Sequence, residues 1–232
     1  MTQMTSTAES YIEQLDSIAG WFSPRDAALF TYLLRTQVAA GAFGDLLEIG
    51  CFMGKSAILL GYGQGPDELV VCDIFGNPGL HHCCTDHPLF TAATADRFYA
   101  NWDLYHPVRP VAYACDSLDL THFIDNRRFR FIHIDGCHEF GCVATDISLA
   151  IGHAAPGCVI ALDDYRATEL PGVAAAVWQA VLAKLLFPFA VTDAKLYASA
   201  SAEDAGVWLE RLRRWHKTYE LPGCEVVVMP PG

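Results

Sequence analysis

Basic residues are scarce in this sequence of 232 residues, which has 15 Lys and Arg against 27 Asp and Glu and a formal net charge of −12. A field of that sign repels nucleic-acid backbones and anionic membrane surfaces. We therefore expect neither nucleic acid nor a membrane as a partner. Only 18% of the residues are charged and 52% are hydrophobic, a composition that excludes an intrinsically disordered chain.

Long hydrophobic runs are also missing. No apolar stretch reaches the ~18 residues that a transmembrane helix needs. Residues 1–16 contain no basic segment followed by an apolar one, so we see no secretory signal. The nine cysteines include no C-x-x-C pair, which removes the spacing typical of zinc ribbons and thioredoxin-like sites. We predict a cytoplasmic protein with free cysteines.

Short apolar runs alternate with helical patterns along the chain. The predicted strands are residues 45–50, 69–73, 110–115, 129–135 and 158–163. Fully apolar strands separated by helices are typical of a parallel sheet that is covered on both faces. The sequence therefore predicts an α/β protein.

The length favours one domain, since domains average ~150 residues. Residues 1–40 are predicted to form a helical segment packed on the core, with Ser23 as N-cap and Pro24 at the first helical position. Residues 41–232 then form the α/β domain itself.

The last third of the chain is harder to interpret. Residues 189–199 could form a hairpin that turns near Asp193, and residues 225–229 a final strand. Residues 202–219 have the pattern of an amphipathic helix. One side of that helix would carry Trp208, Leu212, Trp215 and Tyr219. This apolar stripe could pack on the sheet or on a partner, so a homo-oligomer stays open, as does the order of these strands.

A glycine turn follows the first predicted strand. Glu48 and Gly50 end that strand, and Gly54-Lys55-Ser56 begins the next helix. Two glycines four residues apart allow a tight turn and a close approach to a ligand, and the helix offers free N–H groups. The G-x-G-x-x-G pattern of dinucleotide-binding folds is absent, which disfavours an NAD-dependent oxidoreductase. A purely structural turn is the alternative.

Acidic residues end several of the predicted strands, and open α/β sheets bind ligands at the carboxyl ends of their strands. Asp73 ends the second strand, where a carboxylate can accept hydrogen bonds from both hydroxyls of a ribose. Asp116 and Ser117 follow the third strand. An Asp-Ser pair in that position is also a typical turn or helix cap.

Three segments together resemble one known family. They are the E-I-G-x-x-x-G turn at 48–54, the I-D-G-C-H segment at 134–138 and the stretch from P-G to D-D-Y at 156–165. In combination they resemble the macrocin O-methyltransferase-like branch of class I S-adenosylmethionine (SAM)-dependent methyltransferases. Catechol O-methyltransferase is a more distant likeness. The resemblance covers roughly residues 18–180, with Cys137 standing where many relatives have an acid. It implies a Rossmann-like seven-stranded sheet with helices on both faces.

The resemblance also implies an enzyme that transfers the methyl group of SAM to oxygen. The residues that it places at the cofactor are Glu48, Gly50, Gly54, Ser56, Asp73, Asp116 and Ser117. The acceptor would be a hydroxylated small molecule, such as a natural-product sugar or a catechol-like ring. A SAM-fold protein that binds the cofactor without transferring a methyl group is the alternative.

Asp135, Asp163 and Asp164 end two strands that would be neighbours. Three carboxylates with no Lys or Arg nearby in the sequence repel one another unless a cation neutralises them. Hard divalent ions bind such oxygen ligands, and in some of the relatives a metal holds the acceptor at this place. We therefore expect Mg²⁺ or a similar divalent cation here, with a metal-free arrangement as the alternative.

His138 lies three residues beyond Asp135, on the turn that leaves the same strand. Histidine suits proton abstraction from a hydroxyl because its ordinary pKa is near neutrality. The resemblance gives His138 the role of general base and makes Asp135 its catalytic neighbour. A histidine that only caps the next helix is the alternative.

A cluster of His and Cys residues at 81–87 lies in the long loop after the second strand. Its Cys84-x-x-His87 spacing is compatible with a zinc ligand pair, but no second matched pair occurs. A loop that lines the acceptor site and an ordinary surface loop are the other interpretations.

Overall fold

The computed structural model describes residues 7–77, 88–214, 216–221 and 224–229. Within this part of the chain nine strands form one sheet, in the order β3-β2-β1-β4-β5-β7-β6-β9-β8. The strands are β1 Asp45–Ile49, β2 Leu69–Asp73, β3 Val111–Ala114, β4 Phe129–Ile134, β5 Ala154–Leu162, β6 Phe187–Val191, β7 Leu196–Ser199, β8 Thr218–Leu221 and β9 Cys224–Val228.

Helices cover both faces of the sheet. They are α1 Ala8–Ile12, α2 Pro24–Ala39, α3 Lys55–Gly63, α4 Pro88–Thr91, α5 Ala95–Trp102, α6 Thr121–Ile124, α7 Phe140–His153, α8 Pro171–Leu182 and α9 Ala202–Leu212, with short 3-10 helices at Leu15–Ser17 and Ser117–Asp119. No helix in the described residues is both long and apolar enough to cross a membrane.

Alternate residues of each strand feed two separate cores, as the period of two in a strand requires. Leu46 and Phe131 point into the core beneath α1, α2, α3, α5 and α9. Leu47 and Ile132 point into the opposite core, beneath α7 and α8. Both faces of the central strands are therefore buried, which explains why their sequences are apolar throughout.

The direction of the strands determines where their ends meet. Strands β3, β2, β1, β4 and β5 are parallel, so their carboxyl ends share one edge of the sheet. Strand β7 runs antiparallel to β5, with Leu196 opposite Leu162. The start of β7 consequently lies at the same edge as the end of β5.

The predicted α/β architecture is confirmed, including the predicted hairpin, which is β6 paired antiparallel with β7. The strand count of seven is wrong, because β8 and β9 form a further antiparallel hairpin beyond β6. The helix predicted at 202–219 ends at Leu212, and Tyr219 lies in β8, where it pairs with Val226.

The apolar stripe of that helix packs against the sheet of its own chain. Trp208 stacks on Phe189 of β6, with ring centroids 6.0 Å apart, and Leu212 is buried beside it. Trp215 lies outside the described residues. This part of the stripe therefore needs no partner, and the homo-oligomer stays a prediction.

The N-terminal helix α2 is tied to the hairpin of β6 and β7. The Tyr197 hydroxyl on β7 donates a hydrogen bond of 2.7 Å to Asp26 Oδ1, and Ser23 Oγ donates to Asp26 Oδ2 at 2.6 Å. Nearby, Arg25 forms an ion pair of 2.8 Å with Asp193 in the hairpin turn. The start of α2 is thus linked to the β6–β7 hairpin by a hydrogen bond and an ion pair.

We expect Tyr197→Phe to lower the free energy of unfolding by about 1.5–3 kcal/mol, the usual value of a hydrogen bond to a charged group. Asp26 is buried and would lose one of its donors. Urea denaturation measures the change, with Tyr219→Phe as the control because Tyr219 is 52% exposed. Equal stability of the two variants would show that the link between Tyr197 and Asp26 contributes nothing.

Candidate active site

A cavity of about 730 Å³ opens at the edge where the parallel strands end. The turns after β1 to β5, the start of β7 and residues 20–26 contribute to its walls. The predicted site residues that line it are Gly50, Ser56, Asp73, Asp116, Ser117, Asp135, His138, Asp163 and Asp164. The structure therefore brings nine of the predicted residues to one space, while Glu48 and Gly54 do not line it.

The turn after β1 runs directly against the turn after β4. Gly50 has a φ of +83°, and a Cβ atom at this position would lie 2.0 Å from the carbonyl oxygen of Asp135. Only glycine allows both that backbone conformation and that approach. Gly54, at φ +93°, begins α3 and lies against the Phe98 ring, so its role is to pack the helix rather than to contact a ligand.

Asp73 stabilises two unusual backbone positions. Its Oδ2 accepts a hydrogen bond of 2.7 Å from the Phe52 N–H, and its Oδ1 accepts one of 2.7 Å from the Phe75 N–H. Both phenylalanines have a φ of +47°, which is rare for a bulky side chain. Burial raises the pKa of Asp73, against the effect of these N–H donors. The N–H and the thiol of Cys51 also donate to this carboxylate, and both lower its pKa.

Glu48 lies under the floor of the cavity, and its predicted contact with a cofactor is wrong. Its side chain is fully buried, accepts a hydrogen bond of 2.5 Å from Ser56 Oγ and lies 2.7 Å from His133 Nδ1. Burial raises the pKa of Glu48 to about 8 and lowers that of His133 well below its ordinary value. The pair thus supports the turns after β1 and β4 from below, with burial favouring its uncharged forms. No motif in the sequence indicates this role of His133.

Asp116 and Ser117 lie in a capped turn that borders the cavity. Asp116 Oδ1 accepts a hydrogen bond of 2.9 Å from the Leu118 N–H, which caps the 3-10 helix Ser117–Asp119. Both residues nevertheless line the cavity next to Asp73. The capped turn therefore presents them at the end of the cavity formed by β2 and β3.

His138 and Asp164 form a pair at the other end. His138 Nε2 lies 3.3 Å from Asp164 Oδ2, and this hydrogen bond lowers the pKa of Asp164. Asp164 has a φ of +56°, a conformation that aspartate tolerates better than most residues. The pair consists of an ionised carboxylate that orients an imidazole.

Lys195 neutralises Asp163, a contact between side chains that are distant in the sequence. Its ammonium contacts Asp163 Oδ2, and the side chain is 1% exposed. Burial alone would lower the pKa of Lys195, but the charges of Asp163 and Asp135 outweigh it and raise that pKa above its ordinary value. Although no Lys or Arg is near these carboxylates in the sequence, the fold brings a lysine to them.

The position of Lys195 follows from the antiparallel register of β7. Because Leu196 pairs with Leu162, the preceding residue Lys195 lies beside Asp163. The sequence predicts the hairpin turn near Asp193, and therefore a turn close to Lys195. It does not predict the order of the strands, so it does not indicate that β7 pairs with β5.

Two groups of side chains among the described residues are close enough to hold a metal ion. One is His133, Asp135 and Asp163, and the other is Asp135, His138 and Asp164. Burial and the charge of Asp163 hold the pKa of Asp135 well above its ordinary value. Asp135 thus belongs to both groups, whereas Asp163 belongs only to the first and Asp164 only to the second. Each group also includes a histidine.

A family model described as a methyltransferase domain matches residues 47–165. That span runs from β1 to the D-D-Y segment and contains the walls of the cavity on which the predicted residues lie. The chain belongs to this methyltransferase family. It is an enzyme that transfers methyl groups, as the sequence motifs predicted.

Solved structures show the same fold as this methyltransferase. The O-methyltransferase NovP matches with a TM-score of 0.64 at 15% identity, over 79% of this chain and 84% of NovP. TomG from Streptomyces achromogenes matches with a TM-score of 0.53 at 17% identity, over 84% and 88%. The calicheamicin methyltransferase CalS11 has a TM-score of 0.54 at 12% identity, over 84% and 94%. No curated protein sequence matches this chain.

The cluster at 81–87 lies outside the described residues, so its interpretation as a zinc site, acceptor loop or ordinary loop stays a prediction. Part of the described wall of the cavity is aromatic. Trp21 contacts Phe52 and Phe90, with ring centroids 5.6 and 6.1 Å apart, and Trp21 remains 63% exposed. The methyltransferase therefore has an apolar side at the mouth of its cavity.

Gly50→Ala should lower the free energy of unfolding by several kcal/mol, because the added Cβ would collide with the backbone of Asp135. Gly157→Ala is the matched control, since Gly157 has a similar φ of +76° with nothing within 4 Å of an added Cβ. That control should cost only about 1–2 kcal/mol for its backbone conformation. Chemical denaturation of both variants gives the comparison, and equal losses would refute the importance of the close approach.

Proposed function

We propose that this methyltransferase transfers the methyl group of SAM to a hydroxyl of a small metabolite, either a sugar of a natural product or a catechol-like ring. The observation that carries the proposal is the His138–Asp164 pair, which faces the same cavity as the Gly50 turn. A general base is needed when the acceptor is a hydroxyl, because its proton must leave as the oxygen attacks.

SAM is the proposed methyl donor. TomG was solved in complex with SAM, and an O-methyltransferase from Bacillus cereus in complex with SAH. In this chain the Gly50 turn and the start of α3 border the cavity in which the cofactor would bind. Asp73 would accept hydrogen bonds from the ribose hydroxyls, and Asp116 and Ser117 would lie at the adenine.

We assign the proposed proton transfer to one atom of His138, on the basis of its contact with Asp164. Its Nε2 faces the ionised Asp164, so a neutral ring would carry its proton on Nε2 and its lone pair on Nδ1. The acceptor hydroxyl gives its proton to Nδ1 as its oxygen forms a bond to the methyl carbon. The bond from that carbon to sulfur breaks, and its electron pair stays on sulfur. Alignment of oxygen, carbon and sulfur supplies much of the rate.

A divalent cation does not fit the three predicted aspartates as they stand. The Lys195 ammonium already neutralises Asp163, and a second cation beside it would be repelled. The group of Asp135, His138 and Asp164 could hold an ion, but a neutral imidazole has one lone pair, so a metal-bound His138 could not accept the proton. Mg²⁺ at these aspartates therefore stays a prediction from the sequence.

Calorimetric titration tests the cofactor. SAM should bind and NAD should not, since the chain lacks the G-x-G-x-x-G turn that holds a pyrophosphate. Transfer from methyl-labelled SAM to a panel of catechols and nucleotide-linked sugars then identifies the acceptor. Binding of NAD without binding of SAM would overturn the proposal.

His138→Ala should reduce turnover by ~10²–10⁴, the usual contribution of a general base. SAM affinity should change little, because the imidazole lies at the end of the cavity opposite Asp73. His122→Ala is the control, since His122 is an exposed histidine on α6. Turnover of His138→Ala within a factor of two of the control would mean that another group takes the proton.

A further inference from the structure

Lys195 has more hydrogen-bonding capacity than the described residues use. An ammonium carries three N–H donors, and its one close partner here is Asp163 Oδ2. No other described group accepts a hydrogen bond from Nζ, although the side chain is buried. Lys195 also lines the cavity. Its remaining donors thus have no acceptor among the described residues, although the residue borders the cavity.

The surroundings hold this ammonium in one place and keep it charged. Nζ lies 5.5 Å from the centroid of the Phe22 ring, which favours a cation over its face. The charges that act on it come from Asp163 after β5, Asp135 after β4 and Asp26 on α2. Asp163 contacts this buried cation directly, and Asp135 and Asp26 act on it through their charges.

The order of the strands places Lys195 at the acceptor end. The residues proposed to bind SAM follow β1, β2 and β3, on one side of the sheet order. His138 follows β4, Asp163 and Asp164 follow β5, and Lys195 precedes β7, on the other side. Lys195 and His138 thus border the same set of carboxylates.

We propose that Lys195 is a catalytic residue whose ammonium donates a hydrogen bond to the reacting oxygen of the methyl acceptor. This inference rests on the proposed function and adds a residue to it. In this proposal the ammonium of the chain itself supplies the positive charge that the sequence led us to expect from a metal ion.

The chemistry requires no further reactant. A hydroxyl beside a fixed cation loses its proton more readily, because the negative charge that develops on its oxygen is stabilised. The proton moves to His138 Nδ1 and the methyl carbon moves from sulfur to oxygen, while Lys195 keeps all three of its protons. A preorganised donor of this kind contributes most when water is excluded, as it is around Nζ.

Lys195→Met tests the proposal because methionine fills a similar volume without a donor. We expect kcat to fall ~10²–10³-fold, as when one oxyanion donor is removed. SAM affinity by calorimetry should stay within about threefold. The ratio of wild-type to variant kcat should shrink as the pH rises, because hydroxide then assists ionisation of the acceptor. Lys195→Arg, which keeps the charge, should recover part of the loss.

A double variant separates catalysis from charge pairing. Lys195→Met leaves the Asp163 carboxylate buried without its partner, which could harm folding or the geometry of the site. Asp163→Asn together with Lys195→Met removes both charges. We expect the double variant to be folded but as slow as Lys195→Met, and Asp163→Asn alone to lose less activity than either.

Three results would overturn the proposal. Recovery of kcat in the double variant would mean that Lys195 only neutralises Asp163. Weaker SAM binding with an unchanged kcat at saturation would place the ammonium at the cofactor instead. Loss of wild-type turnover in EDTA with recovery in Mg²⁺ would return the cationic role to a metal. Failure of wild-type protein to bind SAM or to methylate any acceptor would instead contradict the proposed function itself.

Discussion

The contact between Gly50 and the backbone of Asp135 is the constraint on which the site depends. It joins the turns after the two central strands, β1 and β4, and two hydrogen bonds reinforce it. Asp135 N–H donates to Ile49 O at 2.8 Å, and Gly50 N–H donates to Cys72 O at 2.8 Å. The turns after β1, β2 and β4 are therefore fixed relative to one another by backbone atoms. They carry the proposed base and several of the residues proposed to bind SAM. Side-chain placement at both ends of the cavity follows from that geometry.

Much of this arrangement could be predicted because it depends on local sequence. Apolar strands, a glycine turn and acids at strand ends are patterns of a few neighbouring residues, and their meeting at one edge follows from parallel pairing. The interaction of Lys195 with Asp163 joins residues 32 positions apart through antiparallel pairing, and no local pattern indicates that β7 lies next to β5. Similarly, Tyr219 fits a helical period, but pairing with β9 places it in a strand.

The acidity of the chain is largely compensated inside the site. Asp163 forms an ion pair with a lysine, and Asp164 contacts a histidine. Asp73 accepts hydrogen bonds from the backbone N–H groups of Phe52 and Phe75. Glu48, with a pKa of about 8, is uncharged at neutral pH. The net charge of −12 therefore describes mainly the outer surface, whereas the cavity pairs its carboxylates with donors. Such pairing limits the repulsion that would otherwise oppose burying these acids together.

The ties between α2 and the β6–β7 hairpin bear on how this enzyme could diversify. Arg25 forms an ion pair with Asp193, and Asp26 accepts a hydrogen bond from Tyr197. Helix α2 therefore contacts the hairpin on both sides of Lys195 in the sequence. Residues 20–23 meanwhile form part of the cavity wall. An exchange of the first forty residues between relatives would change the wall and the support of the hairpin in one step. Recombination at that boundary would thus change the end of the cavity proposed to bind the acceptor, while β1 to β3, which carry the residues proposed to bind SAM, are inherited intact.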